Sequence, residues 1–581
     1  MKQIFRKLLI LLDKKQKRTM VWLIVMMVIG AGLETLGVGL ITEVAREITS
    51  QNQENGSQIL KLFHRLLDRY EVDNTKFIVL VMATLIAVIV IKNVFLYVLQ
   101  KATLSFVYTN QFRTSERMLR NYLRRHYEFY LSADTAVVQR SITSDVNNMY
   151  ALILCILQLL SDSIVVVFVL TYCFWNARAM TAVMTITLGV LLILIKKVLT
   201  PIMHKAGKDN QDYYSDLFKW ISQTVQGIKE IKISGKESYF VDAYRTCGKG
   251  YVDAVQKYSL YNNIPKFLIE SVCVVTMMLY LIIQFLMGGS VSDLTGAITA
   301  LAASALILLP RANRINNQIN SIAYFEPFFL GVADNLQDEI SGEKVDFTDF
   351  EKQVEKLPVK SQIELKDITY AYPNTEKLIF DHASLTVPVG SSVGIVGTTG
   401  AGKSTVVDIM LGLLDKKSGA VLADGTDVMT NYRGWLKNVG YIPQMIFMLD
   451  DTIRKNVAFG VPDDEIDDNR IWEVLREAQL DQFVKELPQG LDTGIGERGI
   501  RLSGGQRQRI SIARALYDDP EVLILDEATS ALDNDTEAAI MESINHFQGK
   551  KTLLIIAHRL QTIEKCDIVY RVENGKVSRE R

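Results

Sequence analysis

Six apolar blocks crowd into the first 310 positions of this 581-residue chain, and nothing else in it restricts the fold as strongly. They span residues 20–33 with a continuation to 41, 77–99, 151–175, 180–195, 267–287 and 294–310. A helix needs roughly 20 mostly apolar residues to cross a hydrocarbon core about 30 Å thick. Two blocks reach that length outright. The others reach it by including polar positions such as Glu34, Lys92 and Asp162. One such block also fits a buried core helix of a soluble protein, but six in succession call for a bilayer. The first block is too long for a signal peptide and has no A-x-A-like site after it, so it is read as a membrane helix.

Basic residues orient the spans. Lys2, Arg6, Lys7, Lys14, Lys15, Lys17 and Arg18 precede the first block, and Arg113, Arg117, Arg120, Arg124, Arg125 and Arg140 lie between the second and third. Eight lysines from Lys196 to Lys236 follow the fourth, whereas residues 287–295 contain neither Lys nor Arg. Both termini and the long loops 100–150 and 196–266 are therefore expected in the cytoplasm. The loops carry helix-favouring, amphipathic sequence. The membrane helices are thus expected to run on into the cytosol and fold back in pairs, with short connecting helices near 133–138 and 234–240. Residues 57–70 place Ile59, Phe63, Leu66 and Tyr70 on one stripe, fitting a helix on the outer membrane surface or on the bundle.

The expected organisation is a six-helix, all-α transmembrane domain over residues 1–330, an acid-rich linker over 331–360, and an α/β P-loop domain over 361–581. Other classes drop out on composition. Sixty-four Lys and Arg against 65 Asp and Glu give a net charge of -1, unlike a nucleic-acid binder. Five cysteines without a C-x-x-C pair, with six histidines, argue against a disulfide framework or zinc cluster.

The second half carries the chemistry. Gly397-Thr398-Thr399-Gly400-Ala401-Gly402-Lys403-Ser404 fits G-x-x-x-x-G-K-[ST], between a strand-like run and the helix-like run beginning at Thr405. Its glycines let backbone N–H groups approach phosphate oxygens, and the helix start adds partial positive charge. Lys403 is a mobile cation for the β and γ phosphates, and the Ser404 hydroxyl suits Mg²⁺. An apolar run, Val522-Leu523-Ile524-Leu525, ends in Asp526 and Glu527. One carboxylate on the metal side and one beside the attacking water suffice for phosphoryl transfer. Between these motifs, Ser503-Gly504-Gly505-Gln506 opens a helix with a second anion-binding turn.

This last motif resembles the signature of ATP-binding cassette proteins, and the likeness extends through residues 361–581. Pro443-Gln444 is similar to the family's Q-loop, Ser530-Ala531-Leu532-Asp533 to its D-loop, and Ile556-Ala557-His558-Arg559 to its switch-histidine segment. Tyr372 matches the aromatic adenine platform. The resemblance implies ATP and Mg²⁺ as ligands. Gln444, Glu527 and His558 would then serve hydrolysis, Ser404, Gln444 and Asp526 the metal, and residues 397–405, with Tyr372, the nucleotide. Ser503, Gly504, Gly505 and Gln506 would close the site of a second copy, so the expected assembly is a homodimer. Six spans ahead of one cassette resemble a type IV exporter half-transporter, whose coupling helices would match residues 133–138 and 235–240.

In the membrane half, Leu33-Glu34-Thr35-Leu36-Gly37-Val38-Gly39, Pro201-Ile202-Met203-His204-Lys205-Ala206-Gly207 and Pro310-Arg311-Ala312-Asn313-Arg314-Ile315 resemble the PglK-like lipid-linked oligosaccharide flippases of bacteria. The implied activity is ATP-driven flipping of a polyprenyl-diphosphate glycan across the bacterial cytoplasmic membrane. Arg311 and Arg314, on one helix face, would meet the diphosphate, with Glu34 nearby. Two other readings stay open. Export of a peptide, drug or other lipid keeps the same engine. An ATP-gated channel would pass its cargo without hydrolysis.

Overall fold

The computed structural model describes residues 2–49, 74–176, 178–287, 291–341, 354–373, 375–527, 544, 546–557 and 563–581. The segment 57–70, the D-loop residues Ser530–Asp533 and His558 fall outside them. Two compact units emerge, residues 1–123 with 133–344, and residues 124–132 with 345–581.

The first unit is helical: α1 (Lys2–Leu11), α2 (Lys14–Thr49), α3 (Asn74–Leu123), α4 (Tyr127–Ser132, which belongs to the other unit), α5 (Thr135–Arg140), α6 (Val146–Asn176), α7 (Arg178–Gln226), α8 (Ile228–Ser234), α9 (Glu237–Leu286) and α10 (Val291–Ser341). Helices of about 50 residues reach some 75 Å, well over twice the hydrocarbon thickness, so the long loops are largely helix. Five helices among the described residues are long and apolar enough to cross a membrane, and the sixth expected block lies in α10. Burial ranks them. The apolar stretch of α6 is 39% buried and that of α3 only 6%, so α6 is central and α3 faces lipid with Ile86, Val90 and Val94.

α6 packs against α2 and α10, and α7 against α9 and α10. At the α7–α10 crossing a Cβ on Gly207 would stand 1.9 Å from the Tyr324 carbonyl oxygen, so only glycine permits that approach. Tyr258 of α9 stacks on Tyr324 at 3.9 Å beside it. Below this crossing, a π-helical turn, Ser141–Asp145, joins α5 to α6. Its Asp145 carboxylate accepts from Arg140 Nε at 3.3 Å and Gln211 Nε2 at 3.1 Å, tying the turn to α7.

Two expectations shift. α10 continues through residue 330 to Ser341, so the acidic connector begins as helix. The tip at 234–240 is not a separate helix. Gly235, in the left-handed region at φ 63°, caps α8, and α9 starts at Glu237.

The second unit holds two sheets. One is antiparallel, in the order β2 (Phe380–Pro388), β1 (Gln362–Tyr370), β4 (Ser418–Ala423), β5 (Thr426–Asp427). The other has the order β10 (Lys576–Arg579), β9 (Ile568–Glu573), β3 (Ser392–Val396), β8 (Thr552–Ile556), β7 (Val522–Asp526), β6 (Val439–Ile442), and is parallel except for the β9–β10 pair. β3, β7 and β8 are buried at every position, as sequence made of unbroken apolar runs requires in a parallel sheet. The helices that bear on function are α11 (Lys403–Met410), following β3, and α12 (Gly504–Tyr517), which packs on β6. Such sheets present ligand sites at the carboxyl ends of their strands. The motif residues gather there.

Candidate functional sites: a phosphate cradle and an intramembrane charge cluster

β3 delivers the chain to Gly397, where a Cβ would stand 2.4 Å from the Val572 carbonyl oxygen of β9. The loop then turns through Gly400 at φ 80° and Gly402 at φ 103°, both left-handed. Thr398, Thr399 and Gly400 are exposed, and the Ala401 N–H donates to Thr398 at 3.1 Å. α11 has no side-chain N-cap, so its first N–H groups remain available to an anion. Buried Lys403 donates from Nζ to the Gly397 oxygen at 3.1 Å and lies 3.9 Å from Glu527. These contacts hold the ammonium inside the loop, where phosphates would replace the carbonyls.

The carboxylates stand at the end of β7. Ser404 Oγ donates to Asp526 Oδ1 at 3.1 Å, and Tyr441 OH of β6 donates to Oδ2 at 3.4 Å. Burial pushes the Asp526 carboxyl above its ordinary pKa, and the charge of Glu527 adds to that. Burial also pushes Asp408 of α11, with Asp526 beside it, up to about 6. A divalent cation would relieve this crowding, and the oxygens of Ser404, Asp526 and Gln444 are the hard donor set Mg²⁺ prefers. Glu527 is non-glycine at φ 49°, a conformation costing about 1–3 kcal/mol. Its N–H donates to the Ile556 oxygen at 3.2 Å, and its carboxylate accepts from Gln444 Nε2 at 2.5 Å. The strain turns this side chain off the strand, beside the P-loop lysine.

Tyr372 places its hydroxyl 2.9 Å from Thr405 Oγ1, with its ring edge-on to Tyr370 at 5.3 Å. The Tyr370 hydroxyl donates to Glu128 of α4 at 3.1 Å, and Glu128 also accepts from the Asp415 N–H at 3.1 Å. The short helix seated on the cassette is therefore Tyr127–Ser132. That places the seat a few residues before the 133–138 segment expected from sequence. Glu128, Tyr370 and Tyr441 were missed in the sequence. A tyrosine three residues before Gln444 and one two before Tyr372 were the available signals.

Exposed Ser503 caps α12, its Oγ accepting from the Gln506 N–H at 3.2 Å while Gln506 Oε1 accepts from the Ser503 N–H at 2.8 Å. Gly504 and Gly505 form the first turn, so the motif presents an anion-binding helix start to solvent.

In the helical unit, Glu34 of α2, Asp162 of α6, and Arg311 and Arg314 of α10 converge. Buried Arg311 donates to Asp162 at 2.6 Å and to Glu34. Arg314 reaches the same Asp162 oxygen at 3.3 Å, with over half of its side chain exposed. Gln318, one turn on, donates to the other Asp162 oxygen at 2.9 Å. The cluster borders a cavity of about 280 Å³.

Known proteins share both halves. The model of the ABC transporter transmembrane region matches residues 18–307, and the ABC transporter model matches residues 380–530. A Pseudomonas aeruginosa protein named ATP-dependent lipid A-core flippase is 31% identical over 427 residues, covering 72% of this chain and 67% of its own. ABC transporter B family member 1 of Arabidopsis thaliana is 43% identical over 230 residues, 39% of this chain and 18% of its own. A bacterial Atm1-family ABC exporter solved with ATP bound superposes with a TM-score of 0.78 at 22% identity, over 97% of this chain and 95% of that one. With a multi-pass helical unit leading into a P-loop cassette, this chain belongs to the ABC transporter family and couples ATP hydrolysis to transport.

Proposed function

We propose that the chain is one half of an ATP-driven lipid flippase, and that its cargo is a polyprenyl-diphosphate-linked glycan. The observation that carries the lipid reading is the charge cluster of the helical unit. Ionisable groups among apolar helices mark a transport path. Arg311 is committed to two carboxylates, whereas Arg314 shares one and is largely exposed. Arg314 is therefore the guanidinium with donors left for a phosphate-bearing headgroup. The lipid named for the Pseudomonas relative supports a lipid cargo. The three segments resembling oligosaccharide flippases favour the glycan over a peptide or drug.

The engine follows from the cradle. Lys403 and the N–H groups of residues 397–405 bind the phosphates, and Tyr372 stacks on adenine. Ser404, Asp526 and Gln444 hold Mg²⁺, which when bound neutralises phosphate charge. Glu527 polarises the attacking water, with Gln444 orienting it and His558 contributing by its motif. Ser503 and Gly505 of a second copy complete each site, in a homodimer of the bacterial cytoplasmic membrane with its cassettes in the cytoplasm.

Reconstituted protein tests the reading. Arg314→Ala should slow translocation of a labelled polyprenyl-diphosphate glycan about tenfold, the worth of roughly 1.4 kcal/mol, while ATP hydrolysis stays measurable. Unchanged flipping removes Arg314 from the path.

A further inference from the structure

The cavity beside the charge cluster offers more than charged groups. Its charged lining is Arg311, Arg314 and Asp162, while Glu34, which also holds Arg311, is not part of that lining. What remains is a set of uncharged polar groups. Gln100 and Thr103 come from α3, Gln158 and Ser161 from α6, and Gln318 from α10. Gln318 is 6% exposed, yet its Oε1 is buried and has no hydrogen-bond partner among the described residues. Its amide nitrogen is already spent on Asp162. An orphaned buried acceptor costs about 1–3 kcal/mol unless a donor reaches it. Thr103 likewise donates its proton to the Leu99 oxygen at 2.9 Å, leaving lone pairs to accept. An anion brings no donor to either group.

A hydroxyl brings both a donor and an acceptor. Gln100 and Gln158 add amides able to do either. Helical spacing groups these residues: 96, 99, 100 and 103 share one face of α3, and 157, 158 and 161 one face of α6. The same faces bring Leu96, Leu99 and Leu157 to the cavity, an apolar wall for the C–H face of a ring. The volume of about 280 Å³ lies at the low end of ligand pockets, roughly 300–1,000 Å³.

We infer that this cavity is a sugar subsite, taking one hydroxyl-bearing ring of the transported headgroup, with Gln318 as its buried acceptor and Gln158 beside it. The inference rests on the glycolipid reading above and adds which part of the lipid is read where. Within the one cavity, Arg314 meets charge and the amides meet the glycan.

The test compares two probes on full-length protein in vesicles of phosphatidylethanolamine and phosphatidylglycerol. One is undecaprenyl diphosphate, and the other is the same lipid carrying a single N-acetylhexosamine. The readout is the ratio of their half-saturating concentrations for stimulating ATP hydrolysis, which a general loss of folded protein does not move. The wild type should prefer the glycosylated lipid by about tenfold. Gln318→Leu and, independently, Gln158→Leu should each reduce that preference about three- to tenfold, one neutral hydrogen bond each. Gln158 carries the test should Gln318→Leu disturb Asp162. A wild-type ratio near one, or a preference that both variants keep, overturns the sugar subsite alone. Stimulation by neither lipid overturns the glycolipid reading and the subsite with it.

Discussion

Asp424 sits at φ 49° in the turn between β4 and β5 and accepts from three consecutive N–H groups, Lys360 at 2.6 Å, Ser361 at 2.8 Å and Gln362 at 2.9 Å. The bond from Lys360 does most to hold its carboxyl below the usual carboxylate range. With the folded pKa depressed, the stabilisation is complete above the unfolded value of about 4 and is lost as pH falls through the folded one. Asp424→Asn keeps tolerance of the left-handed backbone but removes the charge. Solvent screens this exposed carboxylate, so the loss at pH 7 should be under about 1 kcal/mol, a fall in melting temperature of about 1–2 °C in a domain this size. The gap should begin to shrink below about pH 4 and close only as the pH falls through the depressed folded value, where the wild-type carboxyl also protonates; a gap that is flat with pH would mean the charge does not matter there. Residue by residue, chemistry that is local in sequence is legible in it. The P-loop and the Asp526–Glu527 pair can be placed from the sequence because strand, loop and helix adjoin. The split between Arg311 and Arg314 cannot. Their spacing puts them on one face and both reach Asp162, but what separates them is Glu34, 277 residues before Arg311 and bonded to it.

Among the elements, the α7–α10 crossing concentrates the most risk in one atom. A methyl at Gly207 meets backbone, the Tyr324 carbonyl oxygen at 1.9 Å and its carbon at 2.8 Å, so no side-chain rotation can clear it. The helices would have to part, breaking the Tyr258–Tyr324 stack and the small cluster of Met203, Ala206 and Ala323. Gly207→Ala should therefore cost about 1–3 kcal/mol, as overpacking does, despite the better helix propensity of alanine. Thermal unfolding in detergent checks this; a variant as stable as the parent would mean the crossing is looser than drawn. The sequence marks this glycine only as part of a motif. Its partner is more than a hundred positions on, and long-range approach leaves no periodicity to read. The same reason explains the shifted docking helix. The sequence places a connecting helix near 133–138, but it is Glu128, bonded to Tyr370 and Asp415, that seats the turn Tyr127–Ser132 on the cassette. Apolar period alone, in contrast, sufficed for the long helices and the buried parallel strands.

At the scale of the whole molecule, one chain carries the proposed phosphate cradle at the end of β3 and, apart from it, the exposed Ser503-capped start of α12, proposed as a second anion-binding turn. If two copies pair head to tail, each site takes its cradle from one copy and its capped turn from the other, and damage to the two parts becomes complementable. Lys403→Ala removes the cation from both sites of its own dimer, and Ser503→Arg blocks the anion-binding turn in both sites of its own. Each variant alone should be inactive. A mixed dimer holds one site carrying both lesions and one carrying neither. Co-expression in equal amounts with random pairing makes half the dimers mixed, so ATP hydrolysis should return to about a quarter of the parental rate for two-fold assemblies with independent sites. Purifying the mixed dimer through two different tags should raise that to about half. Recovery in the mixture requires intact residues from both chains at one site, which neither a self-sufficient monomer nor a side-by-side pairing of complete sites can supply. Absence of any recovery, with mixed dimers demonstrably formed, would locate both parts of each site in one chain.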